Sequence, residues 1–259
     1  MPIRTIRVTR YVSPLREGGS LPALVEADDD GMYVVKFREA GQGPKSLIAE
    51  LVCGELARAL GLRVPEVVFA DVHPDLARTE PDPEISALIR RSAGLNLALD
   101  YLPGSIMFDP IVVKPDADLA SRIVWFDAFV SNVDRTPRNP NMLMWHRQLW
   151  LIDHGAALYF QHASGWETDA NRPRDAFALI KNHILRHRAT RLETIDAAMA
   201  GALAGPLVAE IVALIPDGWL TPDAADPVAA ATSRTAYRDY LEQRLQAPRP
   251  FIEEAVRVR

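Results

Sequence analysis

Residues 131–155 read SNVDRTPRNPNMLMWHRQLWLIDHG, and this stretch decides how the chain is interpreted. Asp134 follows an apolar pattern with helical spacing, and two short apolar runs, 142–145 and 149–152, come after it. The second run leads directly into Asp153. A tight turn between the runs predicts a two-stranded ribbon, because alternating short apolar segments around turn residues are typical of hairpins. The ribbon would bring the residues before its first strand and after its second strand to the same end.

Oxygen-bearing side chains are concentrated at that end of the predicted ribbon. An asparagine precedes the first strand at position 139 or 141, and Asp153 follows the second. Carboxylate and amide oxygens suit magnesium, a hard cation. Asn141 directly precedes the strand and is slightly favoured over Asn139 as the ligand. Asp134 is one loop away, where it could accept the proton of an attacking hydroxyl, although each of these residues could also be an ordinary turn former.

Lys36 is the second unusual residue, because it interrupts an otherwise apolar strand pattern, Tyr-Val-Val-Lys-Phe. Of the 29 basic residues only four are lysines, so a lysine here indicates that an ammonium group is required. A buried charge is costly unless it is paired. Glu50 or Glu55 on the following helical stretch could supply the carboxylate, and the alternative is a solvated lysine on a half-exposed strand.

The pattern along the chain predicts an α+β protein with a small β-rich N-lobe and a mainly helical C-lobe. Residues 1–103 form the predicted N-lobe and residues 104–259 the C-lobe, with a linker at 102–105. Predicted strands lie at 4–12, 21–27, 32–37, 67–69 and 95–101, a helix capped by Ser46 runs to Leu60, a short helix covers 85–91, and helix follows from 175 to the end.

Composition excludes several classes of protein. The chain has 259 residues, a net charge of −5, 48% hydrophobic residues and no apolar run near the roughly 20 residues of a membrane span. No signal peptide is evident, so we expect a cytoplasmic protein without a membrane span. The negative charge disfavours nucleic acid as a partner. Cys53, the single cysteine, is expected to pack in the core.

A metallohydrolase with Asp134, Asp153 and His154 as metal ligands is an alternative that the sequence disfavours, because no His-x-His or His-Glu-x-x-His pair accompanies these residues.

The quoted motifs resemble those of the HipA-type kinases and, more distantly, the phosphatidylinositol kinases. The resemblance rests on Asn132-x-Asp134 with a downstream asparagine, on Ile152-Asp153-His154-Gly155, and on Glu50 ahead of the stretch Leu56 to Pro65. It covers roughly residues 32–160. The family usually has a histidine two residues after the catalytic aspartate, where this chain has Thr136, and His154 replaces an apolar residue.

The resemblance implies a two-lobed protein-kinase-like fold that uses ATP and Mg²⁺. It implies that Lys36 contacts the phosphates, that Glu50 rather than Glu55 orients it, that Asp134 is the catalytic base, and that Arg135, its partner in the Asp-Arg pair, is also among the catalytic residues. Asn139 or Asn141 would hold magnesium with Asp153. The residues expected to contact the nucleotide are Gly18, Gly19 and Ser20 in a loop over the phosphates and Asp100, Tyr101 and Leu102 near the cleft.

The acceptor of the phosphate is expected to be a hydroxyl group. The family resemblance favours a protein serine or threonine. A small molecule or a lipid headgroup is the alternative acceptor, and a non-catalytic nucleotide-binding pseudokinase is the alternative to an enzyme.

Overall fold

A computed structural model describes residues 2–15, 21–221 and 226–259. Five strands in the first hundred residues form a closed barrel in the order β1-β2-β3-β5-β4. They are β1 (Thr5–Pro14), β2 (Ala23–Ala27), β3 (Met32–Lys36), β4 (Val67–Val72) and β5 (Gly94–Asp100). The predicted meander of the first three strands is confirmed, and the parallel pairing of β1 with β4 closes the barrel.

Two helices accompany the barrel, α1 (Pro44–Ala59) and α2 (Pro83–Arg91). The prediction that Ser46 caps α1 is wrong. The helix begins after Gly43, which has a positive φ of 65°, and Pro44 occupies the first turn, where its missing N–H is no loss. The Ser46 hydroxyl instead donates to the Gly43 carbonyl at 2.7 Å.

The remainder of the chain is mainly helical. A small sheet of order β6-β7-β8 follows the barrel and contains the predicted ribbon: β6 (Ile106–Met107), β7 (Met142–Trp145) and β8 (Gln148–Leu151). The α-helices in this part of the chain are α3 (Ala117–Phe129), α4 (Leu192–Ala202), α5 (Leu207–Val212), α6 (Asp217–Leu220), α7 (Pro227–Leu245) and α8 (Pro250–Arg257). The α+β architecture predicted from the sequence is therefore confirmed, and we retain 103/104, in the connection between β5 and β6, as the proposed domain boundary.

Residues 159–188 differ from the prediction of helix beginning at 175. The chain there makes five short 3-10 helices, and regular α-helix begins only at Leu192. The physical reason is that tertiary contacts use the backbone groups that an α-helix would need. Arg244 donates to the carbonyl of Asp175, and the N–H of Ile184 donates to the carbonyl of Arg135.

The molecule has two apolar cores, one inside the barrel and a larger one outside it, and α1 packs in the larger core. The barrel interior is one cluster, which includes Val35 of β3 and Ala98 of β5. Leu97 and Leu99 point to the opposite face of β5 and join the larger cluster, as alternation along a strand requires. That larger cluster contains the inner face of α1 together with α3 and the C-terminal helices. Lys36, next to Val35, therefore points away from the barrel interior and toward α1.

None of the helices in the described ranges is long and apolar enough to cross a bilayer.

Candidate active site

Lys36 forms the centre of a buried ion-pair network. Its Nζ lies 2.5 Å from Glu50 Oε2 on α1 and 2.5 Å from Asp153 Oδ1 after β8. Burial alone lowers the pKa of Lys36, but the carboxylates of Glu50 and Asp153 outweigh it and raise the pKa overall. Burial has the opposite effect on Glu50 and raises its pKa, but the ammonium of Lys36 outweighs burial and lowers the pKa of Glu50 overall. Both groups are therefore charged at neutral pH. Glu55, the other candidate, is paired loosely with Arg58 instead.

His154 links the Asp153 turn to this network. The side chain is fully buried, and its Nδ1 lies 3.3 Å from Glu50 Oε1. Its ring packs edge-on against Phe126 of α3 with centroids 5.9 Å apart. Glu50 thus has a partner on each carboxylate oxygen. The sequence offered a signal, since a histidine replaces an apolar residue in the motif, but its partner could not be read from spacing.

Asp134 lies in a loop where both candidate asparagines converge on it. Asn139 Nδ2 donates to Asp134 Oδ2 at 2.7 Å, and Asn141 Nδ2 donates to the same oxygen at 3.1 Å. The backbone N–H of Asp134 donates to Asn132 Oδ1 at 3.1 Å. These bonds fix the carboxylate and leave the amide oxygens of Asn139 and Asn141 as candidate cation ligands.

Asp127 of α3 anchors the whole loop from beneath. Its fully buried carboxylate accepts hydrogen bonds from Asn132 Nδ2 at 2.9 Å, from Arg135 Nε at 2.6 Å and from His183 Nε2 at 2.8 Å. Burial raises the pKa of Asp127, but Arg135 and His183 reverse the effect and hold it well below its usual range. Sequence analysis missed this residue, although a single carboxylate within the apolar run 123–130 was the available signal.

Arg135 is buried in the protein interior, in contrast to its expected place among the catalytic residues. It is 1% exposed, pairs with Asp127, and also donates to the carbonyl of Asn141. Because Arg135 bonds both to Asp127 on α3 and to the Asn141 backbone just before β7, it is a positioning residue for the loop between them.

Removing the carboxylate of Asp127 should destabilise the protein strongly. Asp127→Ala leaves the buried Arg135 without its counter-ion, which we expect to lower the free energy of unfolding by about 3–5 kcal/mol. Asp118→Ala is the matched control on the same helix, since Asp118 pairs with Arg191 at 3.5 Å on the surface and should cost at most about 1 kcal/mol. Urea unfolding measures both. Equal effects of the two substitutions would contradict the anchoring role of Asp127.

A cavity of about 690 Å³ lies beside the Lys36 network. The polar side chains on its walls are those of Lys36, Gln42, Ser46, Asp134, Asn139, Asp153, Tyr159 and His162. Asp153 has a left-handed backbone, with φ 55°, and 43% of its side chain is exposed. Asn141, which precedes the first strand at the same end of the ribbon, is also left-handed, with φ 48°. Such strained conformations of non-glycine residues are concentrated at functional sites.

The residues expected to bind the nucleotide are placed differently. Gly18, Gly19 and Ser20 lie outside the described residues. Asp100 is the last residue of β5, and Tyr101 and Leu102 follow it; the Tyr101 N–H donates to the Met32 carbonyl of β3 at 3.0 Å. These three residues are not among the described residues lining the cavity. Gly41 and Gln42, just before α1, do line it, and sequence analysis did not identify them.

The donor set near the cavity fits a magnesium ion that is held partly by a substrate. Within residues 2–15, 21–221 and 226–259, no three His, Cys, Asp or Glu side chains gather as a metal site. Asp153 with one asparagine would give only two protein ligands. Magnesium commonly binds in this way, since it keeps several waters and takes further oxygens from phosphate groups.

Comparison with known proteins places this geometry in a family context. The sequence model of the HipA-like kinases matches residues 8–248. No curated protein matches the chain.

Among solved structures, the chain is similar to the Helicobacter pylori proinflammatory kinase CtkA, with a TM-score of 0.54 and 12% identity over 99% of this chain and 98% of that one. A Golgi casein kinase gives a TM-score of 0.48 at 14% identity, covering 98% of this chain and 74% of that chain. The same kinase with Mn/ADP bound gives 0.47 at 12% identity over 99% and 73%. The match to CtkA shows that the fold is protein-kinase-like.

Proposed function

The chain belongs to the HipA-like kinase family, and we propose that it transfers the γ-phosphate of ATP to a hydroxyl group with Mg²⁺ as the metal. The observation that carries this proposal is the arrangement of Lys36 between Glu50 and Asp153 at the wall of a cavity that also contains Asp134. An ammonium fixed by a helix glutamate is the device by which protein kinases position nucleotide phosphates.

The cavity offers several groups for the phosphates. Lys36 supplies a positive charge, and the Gly41–Gln42 backbone lies at the start of α1, whose first turn contains no acidic side chain. The positive end of a helix dipole favours phosphate groups. We propose that these groups hold the phosphates, with Asp100, Tyr101 and Leu102 nearer the base and Gly18, Gly19 and Ser20 over the phosphates as the family resemblance implies.

Asp153 and Asn141 are the proposed magnesium ligands. The N–H of Ile152 donates to the carbonyl of Asn141 at 3.0 Å, so the chain segments that carry Asn141 and Asp153 are directly adjacent. Bound magnesium would neutralise the negative charge that develops on the phosphate groups during transfer. Asp134 is the proposed base, since its carboxylate is fixed by Asn139 and Asn141 and faces the same cavity.

We propose a protein serine or threonine as the acceptor, on the strength of the family resemblance. The test is incubation of the protein with Mg-ATP and a proteome-derived peptide mixture, followed by mass spectrometry of phosphorylated products. Phosphate on small hydroxyl compounds alone would move the acceptor to that class. Tight binding of Mg-ATP with no transfer to peptides, water or small alcohols would favour a pseudokinase.

The two asparagines should respond differently to alanine substitution. Asn141→Ala should raise the magnesium concentration needed for half-maximal activity and lower turnover by about a hundredfold or more, because an amide oxygen that holds the metal is lost. Asn139→Ala keeps that ligand and should act mildly by loosening the Asp134 loop. Magnesium titrations of phosphate transfer distinguish them. A larger metal dependence in Asn139→Ala would assign the ligand to Asn139.

A further inference from the structure

A second cavity adjoins the proposed catalytic cavity. It has a volume of about 360 Å³, and Tyr159 lines both cavities. Its apolar and aromatic walls come from Tyr159, Phe160, Phe177, Leu179 and Tyr240, and Ser131 borders it three residues before Asp134. We call it the Tyr159 pocket. It therefore shares a wall residue with the cavity in which an acceptor hydroxyl must meet the proposed base.

The pocket has a buried floor and exposed walls. Phe160 and Tyr240 are buried and stack with ring centroids 3.5 Å apart. Tyr159 and Leu179, in contrast, are 53% and 42% exposed. Ligand pockets are lined predominantly by apolar and aromatic side chains with a few polar groups, as this pocket is.

The segments that form the Tyr159 pocket are hydrogen-bonded to the C-terminal end of α3, where the loop that carries Asp134 begins. Arg244 is 1% exposed and donates to the carbonyls of Phe129 at 2.8 Å, Pro173 at 3.0 Å and Asp175 at 2.7 Å. The N–H of Leu158 donates to the carbonyl of Val130 at 2.7 Å. These hydrogen bonds hold the segments around 158 and 173–175 to the end of α3, just before the loop that carries Asp134.

Backbone strain is concentrated around the same pocket. Ser131, Leu158 and Phe177 have φ values of 53°, 51° and 55°, which are unfavourable for residues with a Cβ, and Leu158 immediately precedes Tyr159. Polar groups occur at the rim, where Arg172 Nη1 lies 3.5 Å from Asp175 Oδ2. The pocket therefore combines an apolar interior, a polar rim and a strained frame.

We propose that the Tyr159 pocket binds a bulky apolar side chain of a peptide acceptor, adjacent to the hydroxyl that is phosphorylated. The inference rests on the proposed kinase function and specifies its acceptor. A peptide fits better than a free small alcohol, because the two cavities share Tyr159 among the described residues that line them, and one extended chain can place a hydroxyl in one cavity and a neighbouring side chain in the other. Successive residues advance by about 3.3–3.6 Å, so the apolar residue should lie within about three positions of the acceptor.

A positional library of serine and threonine peptides tests this specificity. Each position near the acceptor is fixed in turn as Phe, Leu, Ala, Asp or Lys, and phosphate transfer from Mg-ATP is measured. We expect one position at which Phe or Leu exceeds Ala by about tenfold or more, the gain typical of burying such a side chain. Leu179→Asp should remove this preference and raise KM for the best peptide by about tenfold, with a smaller change in kcat.

Val228→Asp is the matched control, since Val228 is also an exposed aliphatic residue, 73% exposed, and lies on α7 away from both cavities. It should leave the preference, KM and kcat unchanged. Thermal unfolding of Leu179→Asp shows whether that variant remains folded, and Leu179→Ala serves in its place if it does not.

Three results would overturn the inference. The first is phosphorylation of the library peptides without any apolar preference, and the second is a preference that survives in the folded Leu179 variants. The third is transfer only to non-peptide hydroxyls. Each would exclude the peptide pocket while leaving the kinase proposal intact. Calorimetry with Mg-ATP on the wild type distinguishes these results from a failure of the proposed function. If the wild type neither binds Mg-ATP nor transfers phosphate, the proposed function and this inference are both wrong.

Discussion

Lys36→Met should lower the rate of phosphate transfer by at least about a hundredfold, the loss expected when one fixed electrostatic donor is removed from an active site. Methionine has a similar length and suits the apolar β3 strand, so the substitution removes the charge rather than the packing. The measurement is phosphate transfer, or ADP formation, at saturating Mg-ATP.

The structure adds a stability cost that must be separated from this loss. Lys36→Met leaves Glu50, which is fully buried, without its ammonium partner. The double variant Lys36→Met/Glu50→Gln removes both charges and should recover much of the stability while remaining inactive. Wild-type turnover in either folded variant would contradict the role of Lys36, and recovered activity in the double variant would show that the defect of Lys36→Met was only structural.

Local sequence patterns predicted those parts of the fold that depend on neighbouring residues. The apolar run 32–37 identified β3, and the apolar runs on either side of 146–148 identified the ribbon. The parallel contact of β1 with β4 could not be predicted in this way, because it joins segments about 60 residues apart. β6 was missed for a related reason: two residues are too few to show a period.

The same distinction applies to the site. Lys36, Asp134 and Asp153 were identified by residue type and order, whereas Glu50 was preferred to Glu55 only through the family resemblance. The structure pairs Lys36 with Glu50, as the ion-pair expectation required, and also with Asp153, which was not expected. Asp127 was missed, because its partners Arg135 and His183 are separated from it by 8 and 56 residues. A buried carboxylate in an apolar helix shows that a partner exists but does not identify it.

Asp153→Asn and Asp134→Asn should separate metal binding from acceptor activation. A ligand to magnesium must be ionised, so Asp153→Asn should weaken the affinity for Mg-ATP by about tenfold or more and lower turnover as well. The asparagine oxygen can still accept a hydrogen bond from Lys36, so the ion-pair network keeps its geometry. Calorimetric titration with Mg-ATP gives the affinity, and phosphate transfer gives the turnover.

Asp134→Asn should have the opposite balance of effects. The carboxylate acts on the acceptor hydroxyl, so its loss should reduce turnover by about a hundredfold to ten-thousandfold and leave the Mg-ATP affinity nearly unchanged. Asn139 and Asn141 can still donate to the new amide oxygen, which keeps the loop in place. If both variants keep the wild-type rate, the proposed phosphate transfer at this cavity is wrong. If instead Asp134→Asn weakens Mg-ATP binding as much as Asp153→Asn does, Asp134 is a metal ligand rather than the base.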